Sequence, residues 1–320
     1  YSVEPSSVDY SISLDVNANN YVFYNNTIKN TFLGKLQVKE DGTKKKPTIT
    51  FTIKNGSNVN ALFNLLSGVT LYNIDFVIKV DNSSSLNSAR SYANSGIIAN
   101  IIQNSTITNC SFNLEVKSGD VTLGDGDSKV RFTSSNVGLM FGSIINSTIE
   151  NCSFEISTGK VTLNASEIEN FGLFAGYMSN TSYKNNKVKI NNGSSVNIQI
   201  AKASSSQYDD EQGKPQTKYE TLNIGGFVGV VNSSNIVFKT NTHMNISETT
   251  ITNKYNFDTL NVSQLIGYAG NANISKIQLS SGLIVKSDTS KRISELNIAK
   301  IVAMSKSTNI TDIGILGAMT

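Results

Sequence analysis

The stretch GLMFGSIINSTIENCSFEIS (residues 138–157) is a near copy of GIIANIIQNSTITNCSFNLEV, which begins at Gly96. Aligning the chain on the second small residue of this GxxxG unit gives anchors at Asn64, Asn100, Gly142, Gly176, Gly229, Gly267 and Ala303. Their spacings are 36, 42, 34, 53, 38 and 36 residues. A unit of this size cannot bury an apolar face alone, so a chain made of such units must stack them.

What recurs within the unit decides how the stack is built. Seven residues after each anchor stands an apolar or aromatic residue: Leu71, Ile107, Ile149, Tyr183, Ile236, Ile274 and Ile310. Ten residues after come Ile74, Cys110, Cys152, Asn186, Lys239, Ile277 and Ile313, and twelve after come Phe76, Phe112, Phe154, Val188, Asn241, Leu279 and Ile315. Only the Gly229 unit falls out of phase, and Phe238 there predicts a one-residue slip of the kind a bulge absorbs.

From ten residues after the anchor onward, apolar and polar residues alternate with the period of two of a half-buried strand. The seven-to-ten spacing is three, so the chain must bend, and Asn stands at that bend (Asn73, Asn109, Asn151, Asn185). Asn also marks an earlier turn (Asn104, Asn146, Asn180, Asn271), and its side chain tolerates left-handed backbone. A third strand recurs upstream from Leu222, Leu260 and Leu296.

The unit reads as strand, Asn turn, short strand, Asn bend, longer strand and variable return. Two-fold alternation and the scarcity of helix-capping runs argue against helices. Antiparallel propeller blades share the period, but they need hairpins between strands of similar length. The expected fold is therefore all-β: a single-stranded parallel β-helix, or β-solenoid, with about seven coils of roughly 36–42 residues.

In such a coil, equivalent residues of neighbouring turns lie about 4.8 Å apart. Gly138 with Gly142, Gly172 with Gly176, and Gly225 with Gly229 then mark close backbone approach. Cys110 and Cys152 share one inward phase and should touch, either as stacked free thiols or as a disulfide.

Residues 48–320 are expected to form the solenoid, and residues 1–47 an irregular N-terminal rung or cap continuous with it. The terminal IGILGAMT resembles another anchor, which suggests part of a longer array. The polar segment Ala201–Glu220 and the stretch from Ser118 to Arg131 are expected to be loops projecting from the wall.

These repeats resemble the Gly-Leu-any-Gly (GLUG) motif repeats of large bacterial surface proteins, including some immunoglobulin A peptidases outside their catalytic parts, and related β-helical adhesin-like proteins. The resemblance rests on GLMFGSIINSTIENCSF (138–154), GLFAGYMSNTS (172–182) and GGFVGVVNSSNI (225–236), and spans about residues 60 to 317. It implies a surface-exposed repeat module and supplies no catalytic residue.

Little else in the chain points to chemistry. Lys outnumbers Arg 24 to 3, the net charge is +3, and the one basic run, Lys44–Lys46, reads as a solvated loop, so no nucleic-acid partner is expected. No apolar run approaches the roughly 20 residues of a membrane span. The single histidine, His243, gives a relay or a metal site little material, and the acids Asp125, Asp127, Asp209, Asp210 and Glu211 fall in expected loops. Asp125 and Asp127 lack the ligands that would complete a calcium loop.

No catalytic, cofactor-binding or metal-binding residues are assigned and no enzyme activity is expected. The function expected is a structural or adhesive repeat module of a secreted or cell-surface protein, displaying loops or assembling end to end. Its partners would be a surface protein or glycan of a host or neighbouring cell, or a second copy. The alternative is a carbohydrate-binding or carbohydrate-cleaving β-helix, which stacked Tyr177 and Tyr268 would favour. Fifteen N-x-S/T sequons make the chain a candidate glycoprotein, although its 41 Asn and 70 Ser and Thr supply many of them by composition.

Overall fold

The structure is a computed structural model of the chain. It describes side chains at residues 61, 63–79, 94–115, 136–156, 168–189, 212–214, 221–239, 242, 244, 258–279 and 293–314, together with the backbone of the other strands named below. Among the described residues there is no helix, and every strand pairing is parallel except one hairpin.

One coil can be followed through Asn136–Gly138, Phe141–Ile145, Thr148–Glu150, Ser153–Ile156 and Lys160–Ser166, after which Asn170–Gly172 opens the next. These strands fall into four parallel sheets that run along the stack. An anchor sheet of 8 strands holds Phe141–Ile145, and a bend sheet of 14 strands holds both Thr148–Glu150 and Ser153–Ile156. A return sheet of 6 strands holds Lys160–Ser166, and a further sheet of 6 strands holds Asn136–Gly138. The molecule is a parallel β-solenoid.

The register is the one the repeat spacing demands. Pairs such as Ala99↔Phe141 and Ile101↔Ser143 place Asn100 beside Gly142, and the same holds from Asn64 through to Ala303. Leu71, Ile107, Ile149, Tyr183, Ile236 and Ile274 form one continuous row, each at most 1% exposed. Parallel strands carry equivalent residues at equivalent heights, so one apolar position per unit becomes a column through the molecule. Phe76 stacks on Phe112 at 5.3 Å, and Phe174 on Phe227 at 4.9 Å, within an aromatic interior that also includes Phe141, Phe154, Tyr183 and Phe238.

The corners explain the asparagines. At the fourth position after the anchor, Gly68, Asn104, Asn146, Asn180, Ser233, Asn271 and Ser307 all have φ between 47° and 65°. At the ninth, Asn73, Asn109, Asn151, Asn185, Lys276 and Asp312 do the same. The Gly229 coil has Phe238 at that ninth position, a bulky residue for which left-handed backbone is costly. There the chain takes the register shift instead: Phe238 lies opposite Asn186, with the irregularity between Lys184 and Asn186. Farther on, Met244 fills the place opposite Leu279.

The paired glycines are a matter of space. A Cβ on Gly142 would lie 2.5 Å from the Asn100 carbonyl oxygen and 2.5 Å from the Ser95 nitrogen, and one on Gly138 would lie 1.8 Å from the Phe141 oxygen. The strand Asn136–Gly138 and the anchor strands thus pass with backbone against backbone.

Two expected loops are more ordered than the sequence suggests. Val121–Leu123, inside the stretch from Ser118, pairs with Val161–Leu163 in the return sheet, because the alternating VTL triplets of successive coils come into line. Ala201–Glu220 contains an antiparallel hairpin, Ser205–Asp209 against Pro215–Tyr219, with Gly213 at φ 73° in its turn. In the N-terminal region, Thr31–Phe32 and Lys35–Gln37 pair with the first anchored coil, and Ser11–Val16 pairs with Thr48–Ile53. The rest of residues 1–47, including Lys44–Lys46, lies outside the described residues.

Candidate functional site

The most regular chemical feature lies six residues before each anchor. Asn94, Asn136, Asn170, Asn223, Asn261 and Asn297 stand in one file along their sheet. From Asn136 onward each side-chain amide donates from Nδ2 to the Oδ1 of the preceding coil: Asn136 to Asn94 at 2.8 Å, Asn170 to Asn136 at 2.7 Å, Asn223 to Asn170 at 2.8 Å, Asn261 to Asn223 at 2.7 Å and Asn297 to Asn261 at 2.9 Å. An amide has both donor and acceptor, and a coil rise of about 4.8 Å suits a bond from each to the next. The Ser143 hydroxyl also donates to Asn94 Oδ1, which sets the file beside the outward side chains of the anchor sheet. The constant offset from the anchor was the sequence signal for this file, and the apolar rows alone do not reveal it.

A second polar file runs inside. Ser105, Ser147, Thr181 and Ser234, five residues after their anchors, are buried at the corner. Their hydroxyls donate to the carbonyl two residues back, as Ser105 does to Gln103 at 2.7 Å and Ser147 to Ile145 at 2.7 Å. The same oxygens accept backbone N–H groups from the coil before, Val69 onto Ser105 at 3.1 Å and Thr181 onto Ser234 at 3.0 Å. The corner backbone, which leaves the sheets there, is satisfied by these hydroxyls.

The cysteines meet as expected. Both are buried thiols outside any disulfide, and the Cys110 N–H donates to Cys152 Sγ at 3.4 Å. The next member of that column, Asn186, accepts the Cys152 N–H at 2.7 Å and donates to the Ile149 carbonyl at 2.8 Å. Tyr183 lies against this column. Burial pushes its phenol well above the usual value of 10.0, and negative charge on Cys152 would push it further the same way, so it stays neutral.

The other sequence candidates are not brought together. Tyr177 and Tyr268 share the outward row one residue after the anchor, but Val230 stands between them, so the two rings are two coils apart rather than stacked. Asp125, Asp127, Asp210 and Glu211, and the side chains of Asp209 and His243, lie outside the described residues. His243 itself sits in the bend sheet between Lys189 and Gln278. Among the described residues no three His, Cys, Asp or Glu side chains gather as a metal site would require. No described helix is long and apolar enough to cross a membrane.

The hairpin at 205–219 is the one described departure from parallel winding, and its tip is exposed at Gln212, Gly213 and Lys214. Scans against protein-family models, curated proteins and solved structures return no match to the chain.

Proposed function

We propose that the chain is a structural and adhesive repeat module of a secreted or cell-surface protein, in which a stiff coil carries the 205–219 hairpin to a surface protein or glycan of another cell. The observation that carries this reading is the hairpin itself. Among the described residues it pairs with no strand of the coil, and it interrupts a wall whose other described pairings are all parallel, with an exposed tip. Elements that a scaffold holds out without needing them for its core are where recognition concentrates. The resemblance to GLUG repeats of bacterial surface proteins points the same way.

The test replaces residues 204–220 with a short Gly-Ser link and measures attachment of the purified module to intact cells, alongside circular dichroism. Loss of attachment with unchanged β-signal and thermal midpoint supports the reading. Attachment that survives the replacement, or that the parent chain never shows, defeats it.

A second reading, end-to-end assembly, is favoured by the last described coil. Leu296, Ile298 and Ile310 are 46%, 49% and 37% exposed, whereas Leu260, Val262 and Ile274 in the coil beneath are at most 1% exposed. Exposed apolar rows on parallel strands favour the addition of another parallel coil. Light scattering should then show chains of particles that Leu296→Lys with Ile298→Lys disperses. A parent chain that stays single at high concentration removes this reading.

A further inference from the structure

The cysteine column carries an inference independent of the adhesive reading. We propose that Cys110 and Cys152 form a redox-modification site, at which a small peroxide converts the stacked thiols into a disulfide tying two neighbouring coils together.

The argument is geometric. Thr106–Thr108 pairs in register with Thr148–Glu150, and Ser111–Leu114 with Ser153–Ile156, so the backbone on both sides of each cysteine is fixed at the coil rise. That rise, about 4.8 Å, lies inside the Cα separation of about 4.4–6.8 Å that disulfides span. Cys152 Sγ already rests over the other cysteine, since it accepts the Cys110 N–H at 3.4 Å. The thiol contacts are weak ones: Cys110 Sγ–H faces the Thr108 carbonyl of its own coil at 3.4 Å, and Cys152 Sγ–H faces the Glu150 carbonyl of its own coil at 3.3 Å and the Ile107 carbonyl of the neighbouring coil at 3.6 Å. Because the paired strands on both sides hold the backbone, bond formation calls for side-chain rotation that gives up these sulfur contacts, with both coils left in place.

Burial selects the oxidant and the order of events. Cys110 is 1% exposed and Cys152 6%, which favours a small peroxide over a bulky disulfide reagent and puts the more exposed Cys152 first. The Cys152 thiolate attacks one peroxide oxygen. The O–O bond breaks, the other oxygen leaves as water after taking a proton, and Cys152 becomes a sulfenic acid. The Cys110 sulfur then attacks the Cys152 sulfur. The S–O bond breaks and hydroxide leaves as a second water with the Cys110 proton. The two thiols lose two electrons in all, and the peroxide gains them.

Purified, folded protein is treated with hydrogen peroxide, then denatured, alkylated and weighed intact without reductant. The expected product is two hydrogens lighter, has lost both alkylatable thiols, and melts about 5 °C higher until dithiothreitol reverses the change. Cys110→Ser and Cys152→Ser, each checked by circular dichroism, should show no rise in midpoint. The proposal is overturned if the cysteines gain oxygen without joining, if the product is a cross-linked pair of chains, if both thiols remain alkylatable, or if either single variant shows the same rise. Should a variant fail to fold, the mass and thiol count of the parent chain decide the matter alone.

Discussion

A left-handed corner residue costs most side chains about 1–2 kcal/mol, and glycine or asparagine much less. Gly68→Asn should therefore leave the denaturation midpoint nearly unchanged, since Asn104 and Asn146 occupy the same corner at φ 50° and 49°. Asn146→Ala should cost about 1 kcal/mol by urea titration. Gly142→Ala is of a different kind, because the new methyl meets backbone at 2.5 Å that cannot turn aside. It should cost about 3 kcal/mol or leave the chain unfolded, as read by circular dichroism. Tyr183 sets a pH limit: its folded pKa is raised, so its contribution is complete below the unfolded value of 10.0 and falls as pH rises beyond it, where only the unfolded chain ionises. Melting temperature should drop above about pH 10, and Tyr183→Phe should lessen the drop. The corner asparagines were legible in sequence because their chemistry and their backbone angle are the same fact. Tyr183, in a row otherwise aliphatic, announced its burial but not the thiol beside it.

At the scale of elements, the asparagine file behaves as one bonded line. Asn223 donates to Asn170 and accepts from Asn261, whereas Asn297 is bonded on one side of the file only, to Asn261, and also reaches Glu295. Asn223→Ala should lower stability by about 1–3 kcal/mol, and Asn297→Ala by about half that, in parallel thermal scans. Equal losses at the two sites would show that the amides act singly. Strand identity was legible wherever apolar residues kept a fixed distance from the anchor. It failed in the return sheet, whose strands Ser85–Leu86, Val121–Leu123 and Val285–Lys286 are two or three residues long and lie at drifting distances from it. A strand that short carries too few alternations to stand out, and pairs only because its neighbours are already in place. The hairpin was missed for a related reason, since Ser, Gln and Lys in SSQYD and PQTKY read as a polar insertion.

Across the whole molecule, stability is a sum over contacts between neighbouring coils. Leu260→Ala, at 0% exposure between two coils, should cost about 2–5 kcal/mol, while Leu296→Ala, 46% exposed in the last described coil, should cost about 1 kcal/mol. Denaturant midpoints of the two variants make the comparison, and similar penalties would mean that the last coil is covered in solution. Because each turn advances the stack by about 4.8 Å whatever its residue count, the 53-residue spacing that holds the hairpin gains no more height than the 34-residue one. Sequence added inside a turn therefore widens the rod, and only a full extra winding lengthens it. Reach and decoration can be altered independently, so one ornament could be exchanged for another without displacing any floor above or below.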